Sequence, residues 1–152
     1  LTPFAWLSNG SYVVYLCTSQ CDAASNFIGW KGPFTFAVNV GLPTVPTLTA
    51  ATNLNSTRPT LNWELPGSAA RASWFEIYLA PTNTVGSPVL YQWFTREQAC
   101  GSWEATTCAL QVPVSLLTNT EYTLYMRSWG PAGFSTGGFM GWAGPVTFTV
   151  TP

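Results

Sequence analysis

The sequence predicts an all-β fold: a seven-stranded β-sandwich that is preceded by two further strands. Three observations point to it. Short runs alternate between apolar and polar residues, 13 glycines and 12 prolines separate these runs, and no stretch shows helical periodicity. Hydrophobic residues make up 47% of the 152 residues and charged residues only 7%, which indicates a folded chain with a sizeable core rather than a disordered one.

Seven runs supply the strands of the sandwich. They are residues 46–52, 60–64, 74–79, 89–95, 108–114, 121–129 and 146–150. Because side chains alternate along a strand, the clearest run, 121–129, places Tyr122, Leu124 and Met126 on one face. Seven short strands, each with one polar face, favour two packed antiparallel sheets. The same alternation assigns the following residues to the core: Trp63, Phe75, Ile77, Leu124, Met126, Phe148 and Val150.

Two segments near the start of the chain recur near its end. Residues 7–16 (LSNGSYVVYL) align with 117–126 (LTNTEYTLYM) at an offset of 110, and residues 29–38 (GWKGPFTFAV) align with 141–150 (GWAGPVTFTV) at an offset of 112. A fixed period indicates repeated structural units. We therefore predict a complete unit at 43–152. Residues 1–42 are predicted to be the last two strands of a preceding unit and the start of a connector, GLPTVP at 41–46, that leads into the complete unit.

The two leading strands are expected to carry an apolar face that needs cover, because a lone hairpin is marginal in water. Three arrangements can cover it: a front half upstream in a longer chain, a neighbouring copy joined head to tail, or docking on the chain's own sandwich. Prolines in the connector limit the angle between units. The predicted inter-unit contact residues are Val14, Leu16, Phe34, Phe36, Val38, Leu42, Pro43 and Pro46.

Four stretches together resemble a fibronectin type III domain: PTLNW, WFEIYL, LLTNTEYTLYMRSW and GWAGPVTFTV. In this resemblance Trp63 corresponds to the core tryptophan of the second strand. Leu117 and Tyr122 correspond to the leucine and tyrosine that open the sixth strand, where the tyrosine hydroxyl bonds to backbone. The tract WFTREQAC, with a cysteine nearby, is similar to a subgroup of these repeats in long exported surface proteins of bacteria. The resemblance implies an extracellular repeat protein.

The four cysteines allow three connectivities. We predict the pairs Cys17–Cys21 and Cys100–Cys108, because each pair lies within one loop region. Zinc is the alternative, but zinc sites combine short cysteine knuckles, and here the second pair is widely spaced and histidine is absent. Disulfides indicate an oxidising compartment, so we predict an extracellular or cell-surface location.

The sequence contains few residues that could form a catalytic site. Without histidine, neither Ser-His-Asp nor Cys-His constellations can form. Glu97 and Glu104 flank Cys100 and are the one carboxylate pair considered for hydrolysis, although solvated loop positions explain them more simply. Five basic residues cannot form a nucleic-acid patch, and no apolar run approaches the roughly 18 residues of a membrane span. We predict no enzyme activity, no cofactor, no metal site, no nucleic-acid partner and no membrane insertion.

Aromatic residues exceed the need of one sandwich core, at 15% of the chain. Trp103, together with Trp93 and Tyr91, is a candidate for stacking on a ligand, as in a carbohydrate-binding module of a secreted protein. Arg127 lies on the outer face near Tyr125 and Trp142 and is expected to form a cation–π contact.

The primary functional prediction is an extracellular structural and adhesive repeat protein, a subunit or excerpt of a head-to-tail β-sandwich filament or tandem array. Its predicted partners are copies of itself or adjacent repeats of the same chain. The alternative is the carbohydrate-binding module, with polysaccharide or a host surface as partner.

Overall fold

The structure is a computed structural model that describes residues 7, 9–17, 29–84 and 86–151. The described residues are mainly antiparallel strands with a single short α-helix, α1, at Arg96–Cys100. Short 3-10 helices cover Gly67–Arg71 and Thr82–Thr84. The strands are β1 Gly10–Cys17, β2 Trp30–Val38, β3 Thr47–Thr52, β4 Thr60–Glu64, β5 Trp74–Pro81, β6 Leu90–Thr95, β7 Thr107–Gln111, β8 Thr120–Gly130, β9 Gly133–Phe134 and β10 Ala143–Val150.

Two sheets form the sandwich. One sheet has the strand order β3-β4-β7, and the other has the order β10-β8-β5-β6 with β9 added at one end of β8. All pairings in both sheets are antiparallel. This three-on-four arrangement is a fibronectin type III-like β-sandwich, and a separate two-stranded sheet, β1-β2, precedes it. The predicted fold class is therefore confirmed.

The core lies between the two sheets and contains all seven residues that the alternation pattern assigned to it. Trp63 from β4 is 1% exposed, and its ring meets that of Phe75 edge to face at a centroid distance of 5.3 Å. Aromatic pairs prefer such tilted contacts because the ring edge is positive and the face negative. The packing of one large side chain from each sheet fixes how the two layers meet.

A tyrosine corner opens β8, as the resemblance implied. The Tyr122 hydroxyl accepts a hydrogen bond from the Leu117 backbone N–H at 2.8 Å, and the Tyr122 side chain is buried. Leu117 itself is 71% exposed, whereas the neighbouring Leu116 enters the core at 3% exposed. The role of core leucine in this turn thus belongs to Leu116.

The helix α1 was not predicted, although its sequence carries a start signal. The Thr95 side chain accepts from the Gln98 backbone N–H at 3.1 Å, and the Gln98 side chain accepts from the Thr95 backbone N–H at 2.9 Å. This reciprocal capping box needs only the pattern Thr-x-x-Gln. Gly101 ends the helix in the left-handed region with φ 74°, a conformation that glycine adopts at no steric cost.

The fifth predicted strand is shorter than expected. The sequence pattern predicts this strand at 108–114, but β7 ends at Gln111. The Val112 backbone N–H already leaves the ladder and donates to the Pro59 carbonyl at 2.9 Å, and Pro113 has no N–H to continue it.

Candidate functional site

The connector between β2 and β3 is docked on the sandwich rather than free. Pro43 is fully buried, and its carbonyl accepts the Thr136 backbone N–H at 2.9 Å. The Val45 backbone N–H donates to the Thr136 carbonyl at 3.0 Å, which makes a short parallel bridge between Thr44 and Thr136. The connector is therefore held by the 131–142 loop between β8 and β10, which we call the F–G loop.

Asn9 ties the end of the β1-β2 sheet to the same loop. Its side-chain amide donates to the Val40 carbonyl at 2.8 Å, and its side-chain oxygen accepts the Val40 backbone N–H at 2.9 Å. The Asn9 backbone N–H donates to the Pro131 carbonyl at 3.1 Å. Asn9 thus bonds both to the segment that follows β2 and to the loop between β8 and β10 of the sandwich.

The F–G loop is itself fixed from inside. Ser135 is 5% exposed, and its hydroxyl accepts the Ser128 backbone N–H at 3.0 Å while donating to the Gly141 carbonyl at 2.7 Å. At the base of the loop, a Cβ on Gly130 would lie 2.6 Å from the Arg71 carbonyl oxygen. Only glycine leaves room for the backbone at residue 130 to lie this close to that of Arg71. The Pro43 ring packs beside the same glycine.

The predicted inter-unit residues occupy two places. Pro43 and Pro46 are buried at the connector, and Leu42 is 43% exposed beside Gly133. The other five lie on β1 and β2, where Leu16, Phe34 and Phe36 are exposed and the remaining two are half-buried. Their contact with another unit stays a prediction.

The outer face of the larger sheet carries a charged and aromatic cluster. Glu76 is 5% exposed although it points to this outer face, and it accepts a charge-assisted hydrogen bond from the Arg127 guanidinium on the neighbouring strand. The Arg127 guanidinium also lies 4.3 Å from the Phe134 ring centroid and 4.8 Å from that of Trp142. The predicted cation–π contact of Arg127 is confirmed, and of the two neighbours expected for it, Tyr125 and Trp142, the contact is made with Trp142. Sequence alone missed Glu76 and Phe134, because their contacts depend on strand register.

A row of three tyrosines crosses the sheet next to this cluster. Tyr78 pairs with Tyr91 on β6 and with Tyr125 on β8, and the rings meet edge to face at 5.5 and 6.3 Å. Tyr78, Tyr125, Phe139 and Trp142 line an open pocket of about 270 Å³. Partial burial, and then the charge of Glu76, raises the pKa of the Tyr91 phenol above its ordinary value.

The second cysteine pair forms the predicted disulfide, Cys100–Cys108. The link ties the end of α1 to β7. Cys21 lies outside the described residues, so the pairing Cys17–Cys21 stays a prediction.

The buried Arg96 side chain lies beside the loop that the Cys100–Cys108 disulfide closes. Its guanidinium donates hydrogen bonds to the carbonyls of Ala72 at 3.2 Å and Ala105 at 2.8 Å. Burial lowers the pKa of the Arg96 guanidinium.

The three candidate stacking residues differ in how far their rings are engaged. Trp103 is half-buried, its indole N–H donates to Glu97 at 2.8 Å, and the Arg96 guanidinium lies 5.9 Å from its ring centroid. Trp93 is half-buried and lies 6.0 Å from Phe134, between ring centroids. Tyr91 is 57% exposed. The three do not form one surface, because Trp103 lies in the disulfide loop and the other two lie on β6.

In the part of the chain that the structure describes, few side chains are placed to support catalysis or metal binding. No group of three or more acidic or cysteine side chains there could hold a metal ion. Glu97 bonds to Trp103, and Glu104 is exposed in the disulfide loop. Within the same described ranges, no helix is long and apolar enough to cross a membrane.

No family model matches the sequence, and no curated protein matches it. Among solved structures, one titled "Myokine structure" is 17% identical, with a TM-score of 0.49 over 72% of this chain and 99% of that chain. A second, the crystal structure of chicken CNTN1 FN1-FN3 domains, is 10% identical, with a TM-score of 0.45 over 96% of this chain. This chain spans 57% of the length of that second structure. The fold assignment comes from the strand order and register given above.

Proposed function

We propose that this chain is a segment of an extracellular tandem array of fibronectin type III-like units with a structural and adhesive role. The observation that carries the proposal is the joint: a hairpin that repeats β8 and β10 is connected to a complete unit through a docked connector. Hydrogen bonds from Asn9, Val45 and Thr136 hold this joint. A joint with these fixed contacts keeps successive units at a set angle, which suits a stiff spacer.

A disulfide and buried hydrogen bonds that fix two loops of the sandwich support a mechanical role. The Cys100–Cys108 disulfide closes one loop, and the contacts of Ser135 fix the F–G loop against which the connector rests. The disulfide also supports an oxidising, extracellular compartment. The similarity of WFTREQAC to repeats of exported bacterial surface proteins supports placement on a cell surface, where the array would form an adhesive filament or stalk.

The carbohydrate-binding alternative has less support from the geometry. Sugar stacking needs an accessible ring face, and two of the three candidates are half-buried with a guanidinium over or beside the ring. Tyr91 is the exposed member. A polysaccharide pull-down that compares the unaltered chain with Tyr91→Ala and Trp103→Ala tests this alternative. Retention that either substitution abolishes would favour the binding module.

Location is tested on the native source cells. Antibodies against residues 43–152 should decorate extended surface projections in immunogold electron microscopy, and surface protease should remove the signal from intact cells. Labelling confined to the cell interior would refute the proposal.

The stiffness of the joint is tested on the purified chain by NMR relaxation. Amides of the β1-β2 sheet should tumble together with those of the sandwich. Pro43→Gly should uncouple them, because it removes a buried ring and adds backbone freedom. Pro88→Gly, in an exposed loop, is the matched control and should change nothing. Independent tumbling in the unaltered chain would contradict a fixed joint.

A further inference from the structure

The β1-β2 sheet repeats the pairing of β8 and β10 residue by residue. Tyr12 pairs with Phe36 as Tyr122 pairs with Phe148, and the ring centroids are 5.5 and 6.0 Å apart in the two copies. The registers also shift at the same place, between Val14 and Leu16 in the first copy and opposite Tyr125 in the second. The leading hairpin therefore has the same backbone arrangement as the closing hairpin of the complete unit.

The two copies differ in what covers their inner faces. In the sandwich, this face packs against the opposing sheet β3-β4-β7, and β5 and β6 extend its own sheet beside β8, so that Met126 is 0% and Phe148 is 7% exposed. At the equivalent positions, Leu16 is 55% and Phe36 is 41% exposed, and Phe34 is 52% exposed. The first hairpin thus has the apolar face that the core of a unit requires, but the side chains on this face are much more exposed than those of the sandwich.

The side chains on the two faces also match in size. Tyr, Phe and Val recur unchanged in three of the equivalent pairs, the last being Val38 and Val150. Among the others, Leu16 has a volume similar to that of Met126, Val14 is smaller than Leu124, and Phe34 is larger than Val146. Volume-conserving exchanges such as Leu16 for Met126 are those that a core tolerates best. The face would accept the packing that the sheet β3-β4-β7 provides to β8 and β10, together with strands at the edge of β1 equivalent to β5 and β6.

We infer that the β1-β2 face is a docking surface for the five-stranded front half of a preceding fibronectin type III-like unit in the same array. A second copy of this chain cannot supply that half, because its own β3 to β7 are already closed by its own β8 and β10. Strand counting thus favours a tandem chain over a filament of separate copies. This inference rests on the proposed array, but its test does not use cellular location.

The test is an extended chain in which residues 43–116 are placed directly before Leu7. Leu7 aligns with Leu117, so the new junction reproduces the natural one. The extended chain should bind less of a dye that reports exposed apolar surface than the original chain does, and amides of β1 and β2 should become protected from hydrogen exchange. Undiminished dye binding together with unprotected β1 and β2 amides would overturn the inference.

A matched pair of substitutions makes the test specific. In the extended chain, Phe36→Ala should lower the thermal midpoint of the first unit by about 12 °C or more, because it empties a core site. The outward-facing Thr35→Ala on the same strand should shift that midpoint by less than about 2 °C. Equal shifts from the two substitutions would contradict a core at this face.

Two further measurements cover the remaining outcomes. If the extended chain is insoluble, protease protection of residues 7–42 is measured during cell-free synthesis, and cleavage as fast as in the original chain overturns the inference. Sedimentation of the original chain tests the competing occupant. If the original chain forms a dimer that Phe36→Lys dissociates, a second copy covers the face. That result would also overturn the inference. It would not decide whether the chain belongs to an extracellular array, which the surface-labelling experiment tests separately.

Discussion

Phe148 and Phe36 hold equivalent positions in two copies of one hairpin, so the same substitution should have very different effects on the chain. Phe148 is 7% exposed and stacks on Tyr122 inside the core. Replacing it by alanine removes its transfer free energy and leaves a cavity, so we expect a loss of about 3–5 kcal/mol in the free energy of unfolding. Phe36 is 41% exposed on an open face, where no enclosed cavity can form.

For Phe36→Ala, only part of the transfer term applies, roughly 1 kcal/mol for a side chain that is about half buried. That loss falls on the β1-β2 sheet, so the unfolding of the sandwich should change by less than about 0.5 kcal/mol. Urea unfolding followed by tryptophan fluorescence measures both variants, with the outward-facing Thr147→Ala as the control on β10. Equal losses from the two phenylalanine substitutions would refute the reasoning, as would a Phe148→Ala loss below about 0.5 kcal/mol.

Five other substitutions probe the core, the corner and the outer face. Trp63→Ala should cost about 3–5 kcal/mol in urea unfolding; a cost within about 0.5 kcal/mol would place Trp63 outside the core. Tyr122→Phe should cost about 1–3 kcal/mol in the same assay, since a backbone N–H loses its acceptor, and no measurable change would remove the corner from the stabilising contacts. Arg127→Met should cost about 3 kcal/mol because Glu76 is left buried without its positively charged partner, and adding Glu76→Gln should recover part of that loss; strict additivity would show that the two side chains do not interact. Because the folded-state pKa of Tyr91 is raised, its stabilising contribution is complete below about pH 10 and is lost as the pH rises through the folded pKa. Tyr91→Phe should remove this alkaline loss in thermal unfolding scans taken across that range, and an identical pH profile would contradict the assignment.

The position of Arg127 is occupied by a different type of residue in the first hairpin. Alignment of the two copies places Cys17 at the position of Arg127. In the complete unit, the Arg127 side chain bridges β5 and the F–G loop through Glu76, Phe134 and Trp142. The predicted pairing of Cys17 with Cys21 would place a covalent link at the position where Arg127 makes these contacts in the sandwich.

Much of the fold is determined locally and could be predicted from the sequence. Alternation along a strand assigns each side chain to a face, which is why the predicted inward residues of β8, from Tyr122 to Met126, lie in the core. The repeat offset identified the leading hairpin as a copy because equal spacing of similar residues implies equal pairing. The cysteine pair Cys100–Cys108 could be matched because the two lie in one short loop region.

Contacts between distant segments were decided only by the tertiary structure. Glu76 and Arg127 meet because the register of β5 on β8 places them opposite each other, 51 residues apart along the chain. The docking of Pro43 against the F–G loop, and of Asn9 against Pro131, likewise joins segments whose separation leaves no local signal. Sequence periodicity specifies which face of a strand is apolar, but long-range pairing is set by the sum of many cross-strand contacts. That sum is defined only once the sheets are assembled.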